Sequence, residues 1–212
     1  MKNYPSKYLL YWAGLFCLPV VIFALLVLNH SQSLQAFDLK WGQHFYNIGP
    51  TWLTRIFQWG TLLGNPIIMG IVIVCLSLIL YYFANRRVAL YYLVFTILGN
   101  VVANPLIKLL VDRPRPQFTD HLVDVSSPSF PSGHSFGAVV IYGCFAYFLC
   151  QYLKTKTSKQ FVWLGTSLLA IFLAFSRIYL GVHYASDIIS GLCLGLAWTL
   201  LTIYNWQRVK KN

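Results

Sequence analysis

Six runs of about twenty predominantly apolar residues leave this chain few ways to fold. Crossing the hydrocarbon core of a bilayer takes about 20 such residues in a helix, because lipid offers no partner to backbone N–H and C=O groups. The runs fall at about Tyr8–Leu28, Pro66–Phe83, Val88–Val111, Phe136–Tyr152, Phe161–Leu180 and Tyr184–Tyr204. Only 10% of the 212 residues are charged, against about 25% in a soluble domain. The expected fold is all-α: a polytopic membrane protein with six transmembrane helices in a bundle, residues 1–212 forming a single membrane domain. The first run has the position of a signal peptide, but its apolar core is too long for one, so it is expected to remain as an anchor.

A net charge of +11 suggests nucleic acid at first sight. The basic residues lie between apolar runs, not on one face of a soluble fold, which argues against a nucleic-acid partner. Their order instead follows the positive-inside rule. Lys2, Lys7, Arg86, Arg87, Lys154, Lys156, Lys159, Arg208, Lys210 and Lys211 fall at one set of span ends. Lys40, Arg55, Lys108, Arg113, Arg115 and Arg177 fall at the other, with every acid of the chain: Asp38, Asp112, Asp120, Asp124 and Asp187. The short, purely basic connections are expected to be cytoplasmic. That predicts a multi-pass plasma-membrane protein with both termini inside and the mixed-charge connections outside.

Two outer connections are long. His30–Asn65 carries Phe37, Trp41, Phe45, Trp52, Phe57 and Trp59 among polar residues. It reads either as one or two amphipathic helices in the outer interface or as a packed cap over the bundle. Arg113–Ser135 is rich in Pro, Ser and Asp and reads as a loop; His121, Asp120 and Asp124 within it read as solvated loop residues, with tuning of ligand choice as the alternative. His30 and His44 read as surface residues. The five cysteines all lie in apolar runs without a Cys-x-x-Cys pair, and read as buried small hydrophobes.

Three polar islands interrupt the apolar pattern, all at outer span ends. A charge at mid-bilayer costs about 2.5–3.5 kcal/mol on insertion scales, so such groups mark function by default. The first island is Lys108 with Arg115-Pro116: a point charge and a bidentate anion binder, aimed by prolines that stop the helix. Arg113 between them reads as a solvated loop charge. The second is Pro131-Ser132-Gly133-His134 at the start of a helix. Helix-start N–H groups, a hydroxyl and a glycine that admits close approach make an anion cradle, although an ordinary cap at Ser132 or Ser135 explains the same residues. The third is Ser176-Arg177 followed by His183 and Asp187. His and Asp four apart share one helix face, so Asp187 can fix the His183 tautomer and leave the other ring nitrogen free; alone, that spacing fits a structural pair as well.

Together the islands are more specific than apart. Lys108, Arg115 and Arg177 match the charge of a phosphate group, with His183 placed to attack phosphorus and His134 to protonate the leaving oxygen. No glutamate and too few spare aspartates are present to hold a metal cluster, so no metal and no cofactor is expected.

At these positions the chain resembles the type 2 phosphatidic acid phosphatase family of membrane lipid phosphatases. Its three-part signature is Lys, six residues, Arg-Pro; Pro-Ser-Gly-His; and Ser-Arg, five residues, His, three residues, Asp. Lys108 to Pro116, Pro131 to His134 and Ser176 to Asp187 match it throughout. The resemblance implies His183 as the nucleophile forming a phosphohistidine, Asp187 as its partner and His134 as the general acid. It implies Lys108, Arg115, Ser132, Gly133 and Arg177 as the phosphate grip. It implies a membrane lipid as substrate: phosphatidic acid, phosphatidylglycerol phosphate or an isoprenyl pyrophosphate, with undecaprenyl pyrophosphate or phosphatidylglycerol phosphate preferred for an outward-facing site. Two other readings stay open, a vanadate-dependent enzyme like the soluble haloperoxidases that share this site, and a binder or transporter of anionic lipid that performs no chemistry.

Overall fold

The structure, a computed structural model, describes residues 7–46, 48–117 and 127–210. Among them every regular element is helical. The elements are α1 (Tyr8–Leu28), α2 (Gln32–Phe45), α3 (Thr51–Gly60), a 3-10 turn (Thr61–Gly64), α4 (Pro66–Phe83), α5 (Arg86–Ile97), a π-helical segment (Leu98–Ala103), α6 (Asn104–Val111), α7 (Gly133–Cys150), α8 (Lys156–Tyr179) and α9 (Ala185–Val209). Six helical segments are long and apolar enough to cross a bilayer, with α5, the π segment and α6 forming one of them. The chain is a multi-pass membrane protein.

Helix ends follow local chemistry, and for this reason the helices outrun the apolar runs at several ends. Side-chain oxygens of Asn65, Asn85, Ser132 and Thr155 accept backbone N–H groups at the starts of α4, α5, α7 and α8, filling donors that a first turn leaves unpaired. Pro66 occupies the first position of α4, where a missing N–H costs nothing. Pro105 stands just after the π segment. It lacks an N–H and crowds the carbonyl four residues earlier, and the widened turn before it absorbs both effects.

Helix α7 is the hub, packed against both α9 and α8. Glycines set how close α9 comes to it. A Cβ on Gly191 would lie 2.5 Å from the Ser132 carbonyl oxygen, and one on Gly195 would lie 2.9 Å from that of Phe136. Small residues of this kind let membrane helices approach at backbone distance. The closeness draws the N-terminal end of α9 against that of α7. Helix α1 packs chiefly on α9 and α4 on α5, and their outer faces expose apolar residues such as Val21, Ile22, Leu25, Ile71 and Leu78, as a lipid-facing surface does.

The connection after α1 forms two helices, and it also packs as a cap. Phe57 of α3 is buried against Tyr179 and Leu180, and Phe45 of α2 packs edge-on to Phe175, while Trp52 and Trp59 stay exposed. His30 and His44 are exposed as expected. The cysteine expectation needs correcting: Cys144 and Cys150 are buried, Cys17 and Cys193 partly so, and Cys75 is exposed, because the lipid-facing side of a span is itself apolar. All five are free thiols.

Candidate active site

Alternating span directions bring the three islands to one end of the bundle. That end collects the last turn of α6, the first of α7, the last of α8 and the first of α9, with α2 and α3 beside them. Lys7, Arg86, Arg87, Lys154, Lys156 and Arg208 lie at the opposite end.

His183 sits in the short turn between α8 and α9 and is 2% exposed. Its Nδ1 lies 3.4 Å from Asp187 Oδ2, and its Nε2 lies 3.2 Å from an Arg115 guanidinium nitrogen. Guanidinium only donates, so Nε2 carries the lone pair and Nδ1 the proton directed at Asp187. Burial, followed by the charges of Arg115, Arg177 and Lys108, holds the His183 imidazole well below its usual 6.5. The ring is neutral at pH 7, which leaves the Nε2 lone pair available.

Asp187, fully buried, is itself held from several sides. Its Oδ2 accepts the Tyr184 backbone N–H at 3.0 Å, and its Oδ1 accepts from Arg113 at 2.7 Å. Arg113 reaches back with its other terminal nitrogen to Asp38 of α2, also at 2.7 Å, and its guanidinium lies 3.9 Å from the Tyr184 ring centroid. Asp38, with no exposed surface, accepts the Ser186 hydroxyl at 2.7 Å and the Ser186 N–H at 2.9 Å, capping α9 from a helix 148 residues away in sequence. Two buried carboxylates thus share one buried guanidinium, and removing one partner of such a set costs about 3–5 kcal/mol.

Around His134 the structure is sparser. Its Nε2 lies 3.2 Å from the Thr61 carbonyl oxygen of the 3-10 turn. The Thr61 hydroxyl accepts from Arg177 at 2.6 Å and from Ser176 at 3.2 Å, so one threonine orients both an arginine and a histidine of the site. The Arg177 Nε is buried without a partner among the described residues. Lys108 donates to the carbonyls of Pro128 and Ser129, and Arg115 is braced by the carbonyls of Ser127 and Val182 at 2.7 and 2.6 Å. Ser132 accepts the Ser135 N–H and hydroxyl as the α7 cap, and its own N–H donates to the Asp187 carbonyl at 3.0 Å. That leaves the Gly133 and His134 N–H groups as first-turn donors with no intrahelical partner.

A cavity of about 360 Å³ joins these groups. Lys108, Arg115, Gly133, His134, Arg177 and His183 line it at one end, and Met69, Gly70, Ile73, Ile97 and Val101 at the other. Seven of the eight residues singled out from sequence either line it or, as Asp187 does, hold a residue that lines it; Ser132 stands behind as the cap. Among the described residues, no carboxylate lines it.

One expectation is overturned. Arg113 is no solvated loop charge but a buried tie between Asp187 and Asp38, because the left-handed turn at Asp112 (φ 43°) carries the chain back over α9. Asp38 and Thr61 brace the site and are not singled out by the sequence, their partners being 73 to 148 residues away. Asp120, His121 and Asp124 lie outside the described residues.

A six-span bundle thus carries a cationic, two-histidine cavity at one end. The profile of the PAP2 superfamily matches residues 88–211. The chain is 30% identical to phosphatidylglycerophosphatase B of Bacillus subtilis over 184 residues, covering 86% of this chain and 89% of that one. It is 28% identical to an undecaprenyl-diphosphatase of Sulfolobus acidocaldarius over 182 residues, 84% of this chain and 74% of the other. The crystal structure of a transmembrane PAP2-type phosphatidylglycerolphosphate phosphatase from Bacillus subtilis superposes with a TM-score of 0.81 at 29% identity, over 91% of this chain and 96% of that one. The chain belongs to the PAP2 superfamily and is a lipid phosphatase.

Proposed function

We propose that the protein removes the terminal phosphate from an extracytoplasmic membrane lipid, either undecaprenyl pyrophosphate or phosphatidylglycerol phosphate, through a phosphohistidine and without a metal. The observation that carries this is the cavity in which His183 and His134 share three cations and which continues into an apolar wall. The cationic end suits a phosphate, and the apolar end suits the first part of a lipid tail. Relatives named for each of these substrates support the two head groups.

In the first step His183 Nε2 attacks phosphorus as the bond from phosphorus to the lipid oxygen breaks. With Nε2–H of His134 donating to the Thr61 carbonyl, the ring gives the leaving oxygen a proton from Nδ1, starting as the imidazolium that the bound phosphate anion stabilises and ending neutral. Arg115 turns from His183 Nε2 to the phosphate, joining Lys108, Arg177 and the first-turn N–H groups of α7 behind the Ser132 cap. In the second step water attacks phosphorus, His134 takes its proton, the P–N bond breaks and inorganic phosphate leaves. Asp187 holds the His183 tautomer throughout. The buried carboxylates Asp38 and Asp187 are both committed to Arg113, which leaves the phosphate charge to the cations.

The whole chain is read as one membrane domain with both termini cytoplasmic and the site outside, because basic residues concentrate at the opposite end of the bundle. The test is a phosphate-release panel on purified protein in detergent with EDTA present: isoprenyl pyrophosphate, phosphatidylglycerol phosphate, phosphatidate and a soluble ester. Release from either of the first two, undiminished by EDTA, supports the proposal. Release that stops with EDTA, or none at all, overturns it. Vanadate-dependent halide oxidation in its place would install the haloperoxidase reading, and lipid binding without turnover, retained in His183→Ala, the binder.

A further inference from the structure

The face of α6 that carries Lys108 continues into the membrane as amides. Asn104 lies four residues before Lys108 and Asn100 four before Asn104, and all three line the cavity. At 1.5 Å per residue each step is about 6 Å along the axis. This span runs toward the end of the bundle that holds the site, so the amides sit deeper than the phosphate grip, between it and the apolar wall. Asn104 is 4% exposed, and its Nδ2 has no hydrogen-bond partner among the described residues. An unsatisfied buried donor is costly, and native proteins seldom leave one without a purpose. Asn104 also stands against the phosphate cradle, since a Cβ on Gly133 would lie 3.3 Å from Asn104 Oδ1. Asn100 is tied by its own Nδ2 to the Thr96 carbonyl at 2.8 Å, and it belongs to the π segment, a form of helix frequent at functional sites.

We propose that Asn104 reads the leaving group. Its free N–H bonds donate to an oxygen carried by the leaving group just beyond the scissile phosphorus, and Asn100 offers a second polar group one turn deeper. This inference rests on the phosphatase reading and narrows it. The preferred substrates carry oxygen on the lipid side of the broken bond, whether a second phosphate or a glycerol. A monophosphate joined directly to a hydrocarbon chain has nothing there for the amide to hold.

The test compares kcat/KM for wild type and Asn104→Leu on three substrates in detergent: an isoprenyl diphosphate, phosphatidylglycerol phosphate, and an isoprenyl monophosphate of the same chain length. The ratio of kcat/KM for an oxygenated substrate to that for the monophosphate falls about tenfold or more in the variant, the effect of one hydrogen bond to an anionic or polar oxygen. A fall confined to the diphosphate arm identifies a second phosphate as the acceptor, and one confined to the other arm identifies glycerol. Ratios within twofold of wild type in both arms overturn the inference while leaving the phosphatase reading intact. Wild-type protein inactive on all three substrates sinks both. Asn104→Asp keeps the shape and removes the donor, so the same ratios decide the matter in that variant if the leucine protein does not purify.

Discussion

The two histidines of the cavity are held in opposite ways. His183 is backed by a closed buried network: Asp187, Arg113, Asp38, Ser186 and the turn at Tyr184, joined by contacts of 2.7–3.4 Å. His134 leans on a backbone carbonyl of a short 3-10 turn, and it opens on amides and apolar side chains. In the proposed mechanism the nucleophile must meet phosphorus along one line for every substrate, which suits a ring fixed from behind by charge. The proposed acid meets whatever leaving group the lipid brings, which suits sparer surroundings. Rigidity is concentrated at the bond that is common to all substrates, and latitude at the part that differs.

The comparison breaks if the two ends respond alike to substitution. The largest effect expected is chemical. His134→Ala lowers kcat on a lipid phosphate by about 10²- to 10⁴-fold, the usual contribution of a general acid. The pre-steady-state burst that reports phosphoryl transfer to the enzyme slows far less with p-nitrophenyl phosphate, whose leaving group needs no proton; an equal slowing of that step with both substrates would remove His134 from the acid role. Next comes the network behind His183. Arg113→Ala strands two buried carboxylates and lowers stability by about 3–5 kcal/mol in detergent unfolding, whereas a loss under about 1 kcal/mol, the size of an ordinary surface pair, would mean that the tie between α2 and α9 bears little. A smaller effect is expected at the other end. Thr61→Val removes the hydroxyl that accepts from Arg177 and weakens phosphate affinity about tenfold, read as inhibition by inorganic phosphate.

The smallest effect is a pH position. A histidine with a lowered folded pKa stays neutral as pH falls through 6.5 and protonates only below it. Carbethoxylation of His183, followed by peptide mass mapping in a His134→Ala background, should therefore stay constant from pH 8 to 6.5 and decline only beneath that range. Decline centred above 6.5 would mean that burial and the three cations do not act on this ring as described.

The spans are legible in the sequence because bilayer thickness imposes one length on all of them, and the three islands because charge is scarce in such a chain. The helix ends are less so, since Ser132, Asn85 and Thr155 extend helices by caps that hydropathy does not register. Arg113 reads as solvated because a loop position beside a proline gives no sign of burial; its partners lie 74 and 75 residues away. One signal does exist. The chain holds only five acids, and Asp38 lies among the aromatics of an amphipathic segment, where a buried counter-charge would be needed. Asn104 gives no such signal, because an amide in an apolar run is a small interruption until the cavity beside it is seen.

The proposed mechanism rests on covalent chemistry at one nitrogen, His183 Nε2. Wild-type protein given lipid substrate labelled in its terminal phosphate, then quenched in alkali, should retain label on the peptide carrying His183, and His183→Ala should retain none and release no phosphate. Label mapped to another residue, or turnover that survives in His183→Ala, would contradict it.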